Sequence, residues 1–401
     1  MSAIRLPLLC VVLLLQLLLQ EGHLTQAFQH PLDLIYDVAD VSFEEEDVPL
    51  ASETEPLVTV PNMGTARGRT LTSFEGRSFY GFLSIPFAEP PAGELRFKYP
   101  QPYIGPWPED TEDGEYDATY MRARCPQNSM ILNITAGRED CLHLSIYTPL
   151  LPDGQTKLPV MVWIHGGAYT MGDANLYVPS KLMDRNVMVV VVQYRLSTFG
   201  FLAGQTPDAP GNMGLMDQIM ALRWIQENIE HFGGNKDLVT VFGQSAGGAS
   251  SSWMQITPLT GSDFNDGRQL FHRVIPQSGS ALDRWTIDPV PHEGFQLTAG
   301  YLNCWNDGWT TAQVVACMRT KSVHEVNEAA NTLYKEDTAK GGLGFKGLCP
   351  IIQSSLAIDY PEEENVIPDA PRNILENGTF LRVPMMAGTV RDEGSLVVGC
   401  K

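Results

Sequence analysis

Short apolar runs without regular polar alternation punctuate the chain at Val160 to Ile164, Val187 to Val192, Leu238 to Phe242 and Val383 to Ala387. Runs of this length read as strands buried on both faces, as in a parallel sheet. Between two of them Leu215, Ile219, Leu222, Ile225 and Ile229 recur every three or four residues, the period of a helix packed along one side. Strands alternating with helices predict an α/β layered fold with right-handed crossovers. Functional groups should then gather at the carboxyl ends of the strands. No internal repeat is evident.

Before about Val58 the pattern is different. Arg5 precedes an apolar stretch from Leu6 to Leu19 that only Gln16 interrupts. The stretch is short for a membrane span and sits where a secretory signal would. Residues 1–27 are therefore read as a signal peptide cleaved after Thr25-Gln26-Ala27, with Gly22 as an alternative cut. A signal anchor is the competing reading, weakened by Gln16 and by the length. Residues 28–57 form an acidic leader containing Glu44, Glu45, Glu46 and Asp47. Its carboxylates repel one another and are not spaced as a calcium cage, so a flexible, solvated leader is expected. Residues 58–401 are left as the folded domain.

Of the 401 residues 43% are hydrophobic and 18% charged, enough apolar material for a large core and too little charge for a mainly disordered chain. The formal net charge of −20 repels phosphate backbones and argues against nucleic acid as a partner. No later segment reaches spanning length, so a soluble, exported product without a stable membrane anchor is expected; the oligomeric state is left open. Cys10 lies in the signal, leaving Cys125, Cys141, Cys304, Cys317, Cys349 and Cys400, whose spacings match no zinc or CxxC redox motif. Asn133-Ile134-Thr135 and Asn377-Gly378-Thr379 are glycosylation sequons consistent with export.

The run Leu238 to Phe242 leads into Gly243-Gln244-Ser245-Ala246-Gly247, the Gly-x-Ser-x-Gly pattern that turns a strand sharply into a helix and lifts the serine hydroxyl above the sheet. Ser245 is thus the candidate nucleophile. The run Val160 to Ile164 ends in His165-Gly166-Gly167-Ala168, where small residues let backbone N–H groups approach a developing oxyanion. Gly167 and Ala168 are assigned as donors with Ala246 as a third, and Gly166 could share or replace one of them.

Four stretches together resemble the type-B carboxylesterases, a group that includes cholinesterases and insect juvenile hormone esterases. They are Phe232-Gly233-Gly234 through Gly247, Glu139-Asp140-Cys141-Leu142 leading to Tyr147-Thr148-Pro149, Ile85 to Pro91 with Leu95-Arg96-Phe97, and Gly211 to Gln218. The resemblance runs from about residue 61 to the end of the chain. It implies an α/β-hydrolase fold with a mostly parallel central sheet flanked by helices, and a Ser, Glu, His triad in that order. Asp392-Glu393-Gly394-Ser395 matches the segment bearing the acid, placing Glu393 at the acid position with Ser278 as its hydrogen-bonding support. The resemblance also implies disulfides Cys125–Cys141 and Cys304–Cys317. Ester hydrolysis of this kind needs no metal and no organic cofactor.

Two departures change the picture. All eight histidines precede Glu393, so the position matching the triad base lies beyond Lys401. The domain is therefore expected to be incomplete at its C-terminus, as in a partial gene model, and the 401-residue chain inactive. Loss of the base costs about 10^6 in turnover, by analogy with a serine protease. Neither His165, part of the oxyanion turn, nor His272 is expected to substitute. Cholinesterases carry a tryptophan where this chain has Ile131 and a glutamate where it has Gln244; both replacements remove features that hold a choline head. A small neutral ester is the expected substrate. The GQSAG form resembles juvenile hormone esterases and suggests sesquiterpenoid methyl esters, although other arthropod carboxylesterases share it. A non-catalytic binding or adhesion protein, or a lipid or hormone carrier, are the alternatives.

Overall fold

The computed structural model describes residues 55–128, 135–342, 344–353 and 361–394. The signal peptide, nearly all of the acidic leader, Asn133, Ile131 and Cys400 lie outside the described residues.

A seven-stranded sheet organises the domain. Its strands are β1 (Arg69–Thr72), β2 (Ser78–Pro86), β3 (His143–Thr148), β4 (Leu158–Ile164), β5 (Met188–Val192), β6 (Gly234–Gln244) and β7 (Arg273–Gln277), in the spatial order β7-β6-β4-β5-β3-β2-β1. The strands β7, β6, β4 and β5 are mutually parallel. The β3, β2 and β1 side is antiparallel. The parallel half contains three of the four apolar runs, and its connections carry the candidate chemistry. Helix α1 (Met213–Asn228) links β5 to β6, and α2 (Ala246–Ile256) links β6 to β7.

Burial explains the local choices. All five residues of β5, four of them valines, are buried, as a central strand of β-branched residues requires. In α1, Leu215, Ile219, Leu222 and Ile225 are buried, and so are most residues on the opposite side, including Asp217. A helix buried nearly all round is a core element rather than a surface one. Cys125–Cys141 and Cys304–Cys317 are both disulfide-bonded, and Cys349 is a buried free thiol.

Two expectations need correction. The runs in β4 and β6 are not buried on both faces, because Met161 and Trp163 in the first and Leu238 and Thr240 in the second are only half-buried. In β4 one face packs into the main core, while the other is covered by a segment of two short 3-10 turns, Ala174–Leu176 and Leu182–Asp184, with Tyr177 and Met183. The run Val383 to Ala387 is not a doubly buried strand either. It follows the edge of β7 through parallel bridges at Met385 and Gly388, with the Val274 N–H donating to Pro384 (3.1 Å) and the Met386 N–H to Val274 (3.0 Å). Pro384 has no N–H to extend the ladder. Met385 and Met386 remain 53% and 64% exposed, with nothing covering them among the described residues.

Candidate active site

At the end of β6, Ser245 adopts φ 57° and ψ −121° and immediately precedes α2. A non-glycine residue in this region is strained and persists only where its surroundings fix it. Here the main chain does so. The Ser245 N–H donates to the Gln277 carbonyl (2.9 Å), and the Ser245 carbonyl accepts from Ala249 N–H (2.9 Å). A Cβ on Gly279 would fall 2.1 Å from the Ser245 carbonyl oxygen, and one on Gly247 would fall 1.9 Å from the Ile164 carbonyl oxygen. The glycines of the motif thus let the ends of β4, β6 and β7 pack backbone against backbone around a half-buried serine.

The turn after β4 lies directly beside it. A Cβ on Gly166 would stand 3.2 Å from the Ser245 Cβ, so the two motifs meet as one site. Gly167, Ala168 and Tyr169 have φ of 118°, 57° and 60°. These values turn the chain back on itself, closed by hydrogen bonds from the Thr170 and Met171 N–H groups to the Gly167 carbonyl, each 3.0 Å. Among the described residues the N–H groups of Gly167, Ala168 and Ala246 donate to no backbone or side-chain acceptor, although Ala246 is buried. Buried donors are normally paired, and donors left without acceptors are the feature that an oxyanion site would require. A small cavity of about 20 Å³ is lined by Thr170, Ser197, Tyr334 and Leu348, and neither Ser245 nor the Gly166–Ala168 turn borders it.

Glu393 lies on an exposed turn following the edge segment, where it accepts the Val390 N–H (2.9 Å). The Ser278 hydroxyl, and then that N–H, hold its carboxyl below the usual range. Ser278 stands one residue beyond β7 with φ 52°, and its own N–H donates to the Gly388 carbonyl (2.8 Å). The residue expected to support the acid therefore contacts it, and both lie past the carboxyl end of the sheet.

The histidines are committed elsewhere. His165 is wholly buried, and its Nδ1 lies 2.9 Å from the Gly166 carbonyl, to which it must donate. Burial pushes its pKa down. His272 immediately precedes β7, at the opposite end of the strand from the site, where its Nδ1 accepts the Val239 N–H (3.2 Å). Neither makes a hydrogen bond to Ser245 or Glu393.

The description "Carboxylesterase family" fits the chain over residues 54–400. The chain belongs to that family. Among carboxylesterase relatives it is 34% identical to juvenile hormone esterase of Tribolium castaneum, an alignment covering 91% of this chain and 60% of that protein. It is 42% identical to cocaine esterase of Homo sapiens, covering 78% and 52% respectively. Its structure resembles the crystal structure of juvenile hormone esterase from Manduca sexta with OTFP covalently attached (TM-score 0.71, 28% identity, 82% of this chain and 59% of that one). This carboxylesterase chain thus spans about half to three-fifths of the length of the relatives it matches.

Residues that sequence reading passed over also shape the site. Tyr169 is wholly buried beside Phe201 and Trp285. Arg195 and Asp217 form a bidentate ion pair beneath the site (2.8 and 2.6 Å). In the sequence Asp217 stands out only as part of the Gly211 to Gln218 stretch. The available signal is its place in the apolar first half of the helix, Met213 to Leu222, where it is the one charged residue.

Proposed function

We propose that this protein is a serine carboxylic ester hydrolase for neutral esters, with Ser245 as nucleophile. The observation that carries the reading is the juxtaposition of a strained, half-buried serine with three N–H groups that have no acceptor. Ser245 Oγ would attack the ester carbonyl, and the N–H groups of Gly167, Ala168 and Ala246 would hold the oxyanion. Collapse of the tetrahedral intermediate would expel the alcohol, and water would then release the acid from Ser245. Glu393 would orient a base and stabilise its cation. Gln244 leaves no negative charge next to the nucleophile, which favours a neutral alcohol group. The names of the relatives, juvenile hormone esterase among them, agree with an ester substrate. Two disulfides and the exposed Asn377 sequon fit an exported glycoprotein.

The chain is proposed to turn over slowly, because among the described residues His165 and His272 serve as structural hydrogen-bonding groups and neither bonds to Ser245 or Glu393. Incubation with a fluorophosphonate probe, followed by mass spectrometry of the labelled peptide, tests both parts. Slow labelling at Ser245, accelerated by millimolar imidazole and abolished in Ser245→Ala, is expected. Labelling elsewhere would overturn the nucleophile assignment, and prompt labelling without imidazole would overturn the slow turnover.

A further inference from the structure

The turn bearing the candidate oxyanion donors is tied at both ends to one short segment. After β5 the chain passes through Tyr194, Arg195, Leu196 and Ser197. The Tyr194 hydroxyl donates to the His165 carbonyl (2.8 Å). Its ring stacks on the His165 imidazole, with centroids 4.4 Å apart and planes 24° from parallel. The Ser197 N–H donates to the Tyr169 carbonyl (2.6 Å). His165 and Tyr169 flank Gly166-Gly167-Ala168, so the segment bridges the whole turn.

The segment is itself anchored. Asp217 of α1 accepts the Arg195 backbone N–H (2.9 Å) as well as the guanidinium Nε and Nη2, and Arg195 Nη1 donates to the Lys98 carbonyl (2.7 Å). Both charged groups are almost wholly excluded from solvent. A buried ion pair adds little stability over an apolar pair of similar volume, because desolvation offsets its attraction. What this one supplies is direction: a side chain of α1 fixes the backbone at Arg195. Burial raises the Tyr194 hydroxyl's pKa well above its ordinary value, so it remains a proton donor across the working range.

Resting on the assignment of Ser245 and its turn to acyl transfer, we propose that Tyr194 is a positioning residue for the oxyanion donors, anchored by the Arg195–Asp217 pair. Charge stabilisation of this kind depends on preorganised donors, and small misplacements forfeit much of it. Tyr194 touches no reacting atom; it acts through the carbonyl at the start of the turn.

Tyr194→Phe in the full chain removes the hydroxyl and keeps the ring stack. Two measurements test the role. In amide hydrogen exchange, peptides covering residues 165–171 should exchange faster than in the wild type, while those covering 243–249 stay unchanged. Equal exchange in the two proteins would overturn the proposal. In the second, a trifluoromethyl ketone, whose adduct with serine carries an oxyanion, is compared with the methyl ketone of the same chain. The affinity of the fluorinated compound should fall about tenfold, a fraction of what losing a whole oxyanion donor costs, while that of the plain ketone holds. An equal fall for both would mean general loosening and overturn the positioning role. If the wild type binds the fluorinated ketone no more tightly than the plain one, the assignment of Ser245 fails, and the exchange experiment still decides what Tyr194 does to the turn.

Discussion

His143 shows how a single buried ring can set the pH range of a protein. It begins β3, is 6% exposed, and has an Nδ1 with no hydrogen-bond partner among the described residues. Burial lowers its pKa to about 4; Asp140, 3.6 Å from Nε2, opposes the shift, and Arg122 reinforces it. The folded state therefore holds the neutral ring, while the unfolded chain takes up a proton from about pH 6.5 downwards. Stability from this group is complete above pH 6.5 and is lost as pH falls towards 4, over a span on the order of 3 kcal/mol. His165, also lowered by burial, adds a loss in the same direction. His143→Gln should flatten, without abolishing, the fall in urea-unfolding free energy between pH 7 and 4.5. An unchanged slope would remove His143 as its source. At this scale Ser245 and the Gly-Gly turn were legible, because their backbone geometry demands glycine and small neighbours at fixed spacing. Glu393 was legible only by resemblance, since one carboxylate in an exposed turn has no pattern of its own. Tyr194 could not be read, because its partner lies 29 residues away and no spacing announces it.

At the level of elements, the strand-to-helix bend is among the tightest backbone approaches near the site. The first turn of α2 passes so close to the end of β4 that Gly247→Ala would place a methyl group 1.9 Å from the Ile164 carbonyl oxygen. Backbone on both sides cannot rotate away as a side chain could. The variant should lose about 3 kcal/mol or more in denaturant unfolding, at the upper end for overpacking. A wild-type midpoint would show that the bend yields. The element pattern foretold β4, β5, β6 and α1 because their apolar periodicity is local. It overestimated the run at Val383, since an apolar run reports what a segment could bury and not how many neighbours it has.

For the molecule as a whole, two covalent closures tie loops to the folded frame. Cys304–Cys317 spans 13 residues, between α3 (Pro291–Tyr301) and α4 (Thr311–Arg319). Closing a loop of that size stabilises by about 3 kcal/mol in the chain-entropy view. Replacing both cysteines by serine should lower unfolding free energy by roughly that amount and leave probe labelling at Ser245 unaltered. Lost labelling would mean that the loop supports the site directly. The resemblance implied these pairings and the α/β-hydrolase fold, while the α/β layering was legible from the alternation of strands and helices alone. The antiparallel half of the sheet was not, because β1, β2 and β3 mix polar residues with apolar ones.

The serine is clamped by main chain on several sides, whereas the carboxylate rides on a solvent-washed bend at the rim. The two therefore differ in mechanical character, one a fixed anvil and the other a hinged arm. Gentle warming would release the arm while the anvil kept its shape. If Glu393 and Ser245 act as proposed, any gain or loss of turnover by distant substitutions should then arise more readily through the carboxylate's freedom than through the hydroxyl's placement.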